Sequence, residues 1–131
     1  MTAADARDLD DRIEVMLPLQ TRYASTLRVI AAALGADAGF SVDEIDDVRL
    51  GLNEVFSLLV EACPEGRVRT TFRLGAGELE ARLEAVPGPA TVAPDELALT
   101  ILRSVVDRHE LSPDGITLVK RASEAAGGTP P

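Results

Sequence analysis

The sequence predicts an α/β sandwich: a mixed, mostly antiparallel β-sheet with about three helices packed on one face. Three observations lead there. Stretches whose apolar residues alternate with period two are interleaved with stretches of helical period. Two pairs of alternating stretches are joined by turn-forming residues alone, Gly75-Ala76-Gly77 and Ser112-Pro113-Asp114-Gly115, so neighbouring strands form hairpins. At 131 residues and 46% hydrophobic composition, the chain has the size of one domain and enough apolar material for one core. Only 3% of residues are aromatic, so that core must be built from Leu, Val, Ile and Ala.

The elements follow in order. Residues 1–11 are small and acidic and read as a flexible leader; the folded domain is expected over 12–121, and the Gly/Pro-rich end, 122–131, reads as a disordered tail. Residues 12–17 put Ile13, Val15 and Leu17 on one face of a strand that ends at Pro18. From 22 to 36 the pattern is helical, with Leu27, Ile30, Ala31 and Leu34 at three- and four-residue spacing and Gly35 as the stop. Ser41-Val42-Asp43-Glu44 is a capping box, with Phe40 placed to staple onto Ile45. The helix it opens runs to about Ala62, carries four acidic residues near its start, and is broken by Pro64-Glu65-Gly66. Val68, Thr70, Phe72 and Leu74 line one face of the next strand, and Leu79, Ala81, Leu83 and Ala85 one face of its hairpin partner. A third helix is expected from Pro94 to Val106, with Pro94 in its first turn and Leu97, Ile101, Leu102 and Val105 as its apolar stripe. A last hairpin joins 107–111 to 116–120.

Charge and composition exclude some functions. A net charge of −9 is wrong for a protein that grips phosphates directly, and suits a basic partner. The single cysteine, Cys63, allows no internal disulfide and no zinc knuckle, and reads as a reduced thiol. No metal site is expected. The start is polar and no apolar run is long enough to cross a membrane, so a cytoplasmic protein is expected. His109 is the only histidine, which leaves Ser25, Ser57 and Ser104 without a relay for nucleophilic catalysis. Arg67, Arg69 and Arg73 share a strand face opposite Glu80, Arg82 and Glu84, which reads as a cross-paired solvated face rather than a phosphate patch.

In element order, and in the stretch Gly39-Phe40-Ser41-Val42-Asp43-Glu44-Ile45-Asp46-Asp47-Val48-Arg49-Leu50-Gly51-Leu52-Asn53-Glu54, the chain resembles the ATP-binding fold of histidine kinases, gyrase and the bacterial anti-sigma switch kinases. This is the histidine kinase-like ATPase (GHKL, or Bergerat) fold, and the resemblance is nearest to the anti-sigma kinases. Residues 101–107 look like that family's last helix and 115–121 like its closing strand.

The resemblance implies a magnesium helix with Glu-x-x-x-Asn, in which Glu54 takes the catalytic position and Leu58 stands where the metal-binding Asn belongs. Leucine offers a hard cation no lone pair. Val86 replaces the family's adenine-binding Asp, only Gly88 survives of its glycines, and Glu96 and Ala98 hold the places of the phosphate-cradling Gly-x-Gly. The lid is reduced to residues 87–95. Loss of ATP and Mg²⁺ binding is therefore expected, and Glu54 reads as vestigial.

Arg28 falls on the family's first-helix arginine, which contacts both sigma factor and anti-anti-sigma protein; Arg22 and Tyr23 lie beside it. As an ordinary helix residue, Arg28 would instead be exposed. The expectation is an anti-sigma factor that sequesters an alternative sigma factor, is released by an anti-anti-sigma antagonist, and forms a homodimer by family analogy. Two alternatives stand beside it: an active ATP-dependent serine-protein kinase with divergent contacts, and a degenerate interaction module of another signalling pathway.

Overall fold

The computed structural model describes residues 11–88, 92–113 and 115–123. The order is β1 (Asp11–Pro18), a 3₁₀ turn (Thr21–Tyr23), α1 (Ala24–Asp37), α2 (Val42–Ala62), β2 (Arg67–Gly75), β3 (Glu78–Val86), α3 (Glu96–Val105), β4 (Arg108–Ser112) and β5 (Gly115–Arg121). The five strands form one sheet in the order β1-β2-β3-β5-β4. All four pairings are antiparallel, whereas the sequence left room for a mixed sheet. The reason lies in the connections. The α1–α2 hairpin returns the chain to the end of the sheet it left, so β2 starts opposite the end of β1, with Arg67 across from Pro18.

The inner face of the sheet carries Val68, Thr70, Phe72, Leu74, Leu79, Ala81, Leu83, Ala85, Ile116 and Leu118, all buried. Against them lie Leu27 and Ala31 of α1, Val48, Leu52, Val55, Phe56 and Leu59 of α2, and Leu102 of α3. This is the expected α+β sandwich, with the helices on one face. The space between Val48, Leu52, Leu79, Ala81, Val106 and Leu118 amounts to about 10 Å³, room for no more than one water.

Local chemistry explains the boundaries and corrects two of them. The capping box of α2 forms as read: the Glu44 N–H donates to Ser41 Oγ at 3.1 Å and the Ser41 N–H to Glu44 Oε1 at 2.8 Å. α1 does not stop at Gly35. It runs on to Asp37 and closes at Gly39, whose φ of 88° is the left-handed conformation glycine adopts freely, with the Phe40 N–H donating to Gly35 O at 3.0 Å. Gly35 instead gives way to α2: a Cβ there would lie 3.1 Å from Ile45 and 3.3 Å from Phe40.

α3 is shorter than expected. Pro94 precedes it, Asp95 caps it, and the buried stripe is Ala98, Leu102 and Val105. Leu97 is 67% exposed and Ile101 half-buried, because the stripe that meets the core is turned one residue from the one expected.

β1 begins at Asp11, opposite Leu74. Beyond β5, the Ala122 N–H donates to Gly77 O at 2.8 Å and the Ser123 N–H to Glu44 Oε2 at 2.6 Å. The rest of the expected leader and tail, and residues 89–91 of the shortened lid, lie outside the described residues.

Candidate functional site

The residues expected to meet a partner lie on the helical side. Thr21–Tyr23 wind as a single 3₁₀ turn, and the guanidinium of Arg22 sits over the Tyr23 ring, 4.8 Å from its centroid. Tyr23 packs its ring against the edge of the core, while Arg22 is exposed. Arg28 lies farther along α1 and joins the other helix: its Nη1 donates to Asn53 Oδ1 of α2 at 2.7 Å. Arg28 does not stand as the freely exposed helix residue that was the alternative to a partner contact: it is half-buried, with one edge of its fork committed across the helix pair.

The surface at that point is an open groove of about 650 Å³ lined by Arg28, Asp46, Arg49, Leu50 and Asn53. Arg49 pairs with Asp46 at 3.4 Å, an exposed contact of little energetic weight. Leu50 is 54% exposed, and Val29, next to Arg28 along α1, is 70% exposed. Sequence reasoning missed Arg49, Leu50 and Asn53. Their spacing on α2 places them along one helical surface, but nothing local says that this surface borders Arg28, which is 25 residues away in sequence from Asn53.

The positions corresponding to the nucleotide motifs lie on α2, at the end of β3 and at the start of α3. Glu54 is half-buried on α2. Leu58, one turn on, packs against the core. Val86 closes β3 opposite Arg67 and is followed by a cis peptide bond to Pro87, and Gly88 is exposed. At the start of α3, the Ala98 N–H donates to Asp95 Oδ1 at 2.9 Å, and Glu96 is exposed in the same turn. A carboxylate of the chain itself already occupies the amide that an anion would use, and a second carboxylate adds repulsion. These residues do not suit a magnesium nucleotide: Leu58 and Val86 bring no oxygen or nitrogen side-chain ligand, and the helix start carries negative charge.

Ser25 Oγ donates to Arg22 O at 3.2 Å and Ser104 Oγ to Ile101 O at 2.8 Å, both bonds back onto the preceding turn. His109 is half-buried in β4 opposite Leu118, and Cys63, a free thiol, closes α2. Arg69 faces Glu84 and Arg73 faces Glu80 across the outer sheet face, with Arg69–Glu84 at 3.5 Å and Arg82–Glu84 at 3.1 Å, so the cross-pairing is as expected. Among the described residues no group of His, Cys, Asp and Glu could hold a metal ion, and no helix is long and apolar enough to cross a membrane.

No protein-family model and no curated protein matches the chain. Its fold is similar to the crystal structure of the RsbU and RsbW domains of Rv1364c from Mycobacterium tuberculosis. The TM-score is 0.58 and the identity 17%, over 86% of this chain and 32% of that one. The fold is of the histidine kinase-like ATPase type. The chain spans about a third of the length of that relative.

Proposed function

We propose that the chain is an anti-sigma factor working by partner switching. It sequesters an alternative sigma factor through the α1–α2 face around Arg22, Tyr23 and Arg28, and yields it when an anti-anti-sigma protein competes. The observation that carries this reading is the fold, similar to a structure containing an RsbW domain, in a chain whose second helix resembles the anti-sigma kinases. In this reading the protein is a cytoplasmic homodimer and the nucleotide site is defunct. Release then rests on competition, not on phosphorylation. Glu54 is the one feature in favour of a serine-protein kinase, and a lone carboxylate with Leu58 a turn away is a weak basis for catalysis.

The test is a calorimetric titration of the purified protein against each alternative sigma factor of the source organism, repeated with Arg28→Glu. Reversing an anchoring charge is expected to weaken binding by about 2 kcal/mol or more, roughly thirtyfold. The same substitution loses the bond to Asn53, so the melting temperature should fall by the equivalent of only about 1 kcal/mol. Wild-type protein that binds no sigma factor removes the reading.

A further inference from the structure

Four consecutive residues, at and just beyond the end of β5, reach across the fold. Lys120 Nζ donates to Asp47 Oδ2 of α2 at 3.1 Å and to the carbonyl of Val105, at the end of α3, at 2.9 Å. The Arg121 N–H donates to Asp107 Oδ2, between α3 and β4, at 2.7 Å, and the Arg121 guanidinium pairs with Glu78 at 3.5 Å. The Ala122 N–H donates to Gly77 O, in the β2–β3 turn, at 2.8 Å; the Gly77 N–H in turn donates to Ala38 O, just past α1, at 2.9 Å. The Ser123 N–H donates to Glu44 Oε2, in the first turn of α2, at 2.6 Å. The pairing of β5 with β3 stops at Arg121, so the bonds of Ala122 and Ser123 are made outside the sheet. Residues 120–123 thereby tie α2, α3, the β2–β3 turn and, through Gly77, the end of α1.

Glu44 makes these contacts one system. Its Oε1 closes the capping box by accepting from the Ser41 N–H at 2.8 Å, while Oε2 takes the Ser123 N–H. The residue is only 9% exposed, and a carboxylate so far from water is tolerated while its acceptors are in use. Without the Ser123 N–H, Oε2 is short of a donor. Water can replace it only when the first turn of α2 lifts, and that turn is also what the capping box holds down.

We propose that residues 120–123 are a clasp on the foot of α2, and that the clasp, the first turn of α2, the link at 38–41 and the β2–β3 turn open as one unit while the rest of the domain stays folded. The clasp gives the α1–α2 pair a second state, in which the link between the two helices is released and Phe40, buried when the clasp is closed, meets solvent. The control point lies at the end of β5, remote in sequence from the helices it governs: Ser123 and Glu44 are 79 residues apart. The inference goes beyond the protein-binding reading above and does not depend on it, because it concerns the chain alone.

The experiment is amide hydrogen exchange of the full chain, followed by NMR at several low urea concentrations. In wild type the amides of Glu44, Ile45, Gly77 and Ala122 should share one opening equilibrium with one shallow urea dependence, distinct from the steep dependence at Leu59 in the core. Four unrelated equilibria, or the steep dependence of Leu59 at all four, overturn the proposal. Ser123→Pro removes the N–H that Glu44 accepts, and Glu44→Gln replaces the shared carboxylate. Each should make the opening at Gly77 about tenfold more populated or greater, the worth of a hydrogen bond to a charged group. The double variant should add little to the larger single effect, since both remove the same bond. Cleavage by chymotrypsin after Phe40 should rise with Ser123→Pro by a similar factor. A Gly77 amide that exchanges as in wild type in both variants, or effects that simply add, overturns the clasp. The wild-type measurement decides the question by itself if either variant fails to fold.

Discussion

Thr70 is fully buried on the inner face of β2, and its hydroxyl has no hydrogen-bond partner among the described residues. A buried hydroxyl that has given up water without a replacement is a cost to the fold. Thr70→Val keeps the shape and removes that cost. It is expected to raise stability by about 1 kcal/mol, seen as a melting temperature higher by roughly 3–5 °C.

Glu44 is the opposite case, a buried carboxylate with its acceptors in use. Its pKa lies below the ordinary 4.5, first because the Ser41 N–H donates to it, then because the Ser123 N–H does, with the Ser41 hydroxyl and the charge of Lys120 adding to the effect against a desolvation that opposes it. A carboxyl with a depressed folded-state pKa stabilises the fold fully above its unfolded value, and that contribution is lost as pH falls through the folded one. Wild type should therefore be more stable than Glu44→Gln at neutral pH. The difference should shrink when urea unfolding is repeated at about pH 3.5.

At the scale of elements, the packing that joins β5 to its neighbours depends on one position. Gly115 begins β5 between Ser112 of β4 and Glu84 of β3. A Cβ there would stand 2.1 Å from the carbonyl oxygen of Leu83, a backbone atom that cannot swing aside. Read from sequence, Gly115 is merely the last residue of a turn; in the sheet it is also where two backbones approach too closely for a side chain. Gly115→Ala is expected to cost about 3 kcal/mol or more, read by chemical denaturation, because the third strand must be pushed away.

The hairpin of α1 and α2 shows the same division of evidence. Its caps are legible because capping box and left-handed glycine act within a turn of the chain. The choice between Gly35 and Gly39 as the stop is not, since both are small and only Gly39 has a positive φ.

For the whole molecule, the helical side is acidic and the outer sheet face is cross-paired, with Arg82 donating to Glu84, Thr117 and Ser112. Lys120 draws three elements together: from β5 it reaches Asp47 of α2 at 3.1 Å and the carbonyl of Val105 at the end of α3 at 2.9 Å. The expected behaviour toward nucleotide follows from the whole arrangement and not from one residue. Calorimetry with ATP or ADP and Mg²⁺ at physiological concentration should give no binding; micromolar affinity would refute this. Leu58→Asn alone should not create binding, because Val86 still ends β3 and Asp95 still caps α3. It should lower stability, because the amide enters a place packed against the core.

What the sequence determined by itself was the set of elements, their order, and which face of each strand turns inward. Period-two and helical patterns, capping residues and turn residues act over a few positions, and no distant part of the chain is needed to read them. It also located Arg28, but not what Arg28 does. The bond to Asn53 spans 25 residues and that between Glu44 and Ser123 spans 79. Which face of α3 meets the core, and which α2 residues border α1, depended likewise on how the helices settled on the sheet. Those outcomes belong to the tertiary structure, because packing selects among faces that are locally equivalent and only contact between remote segments tells them apart.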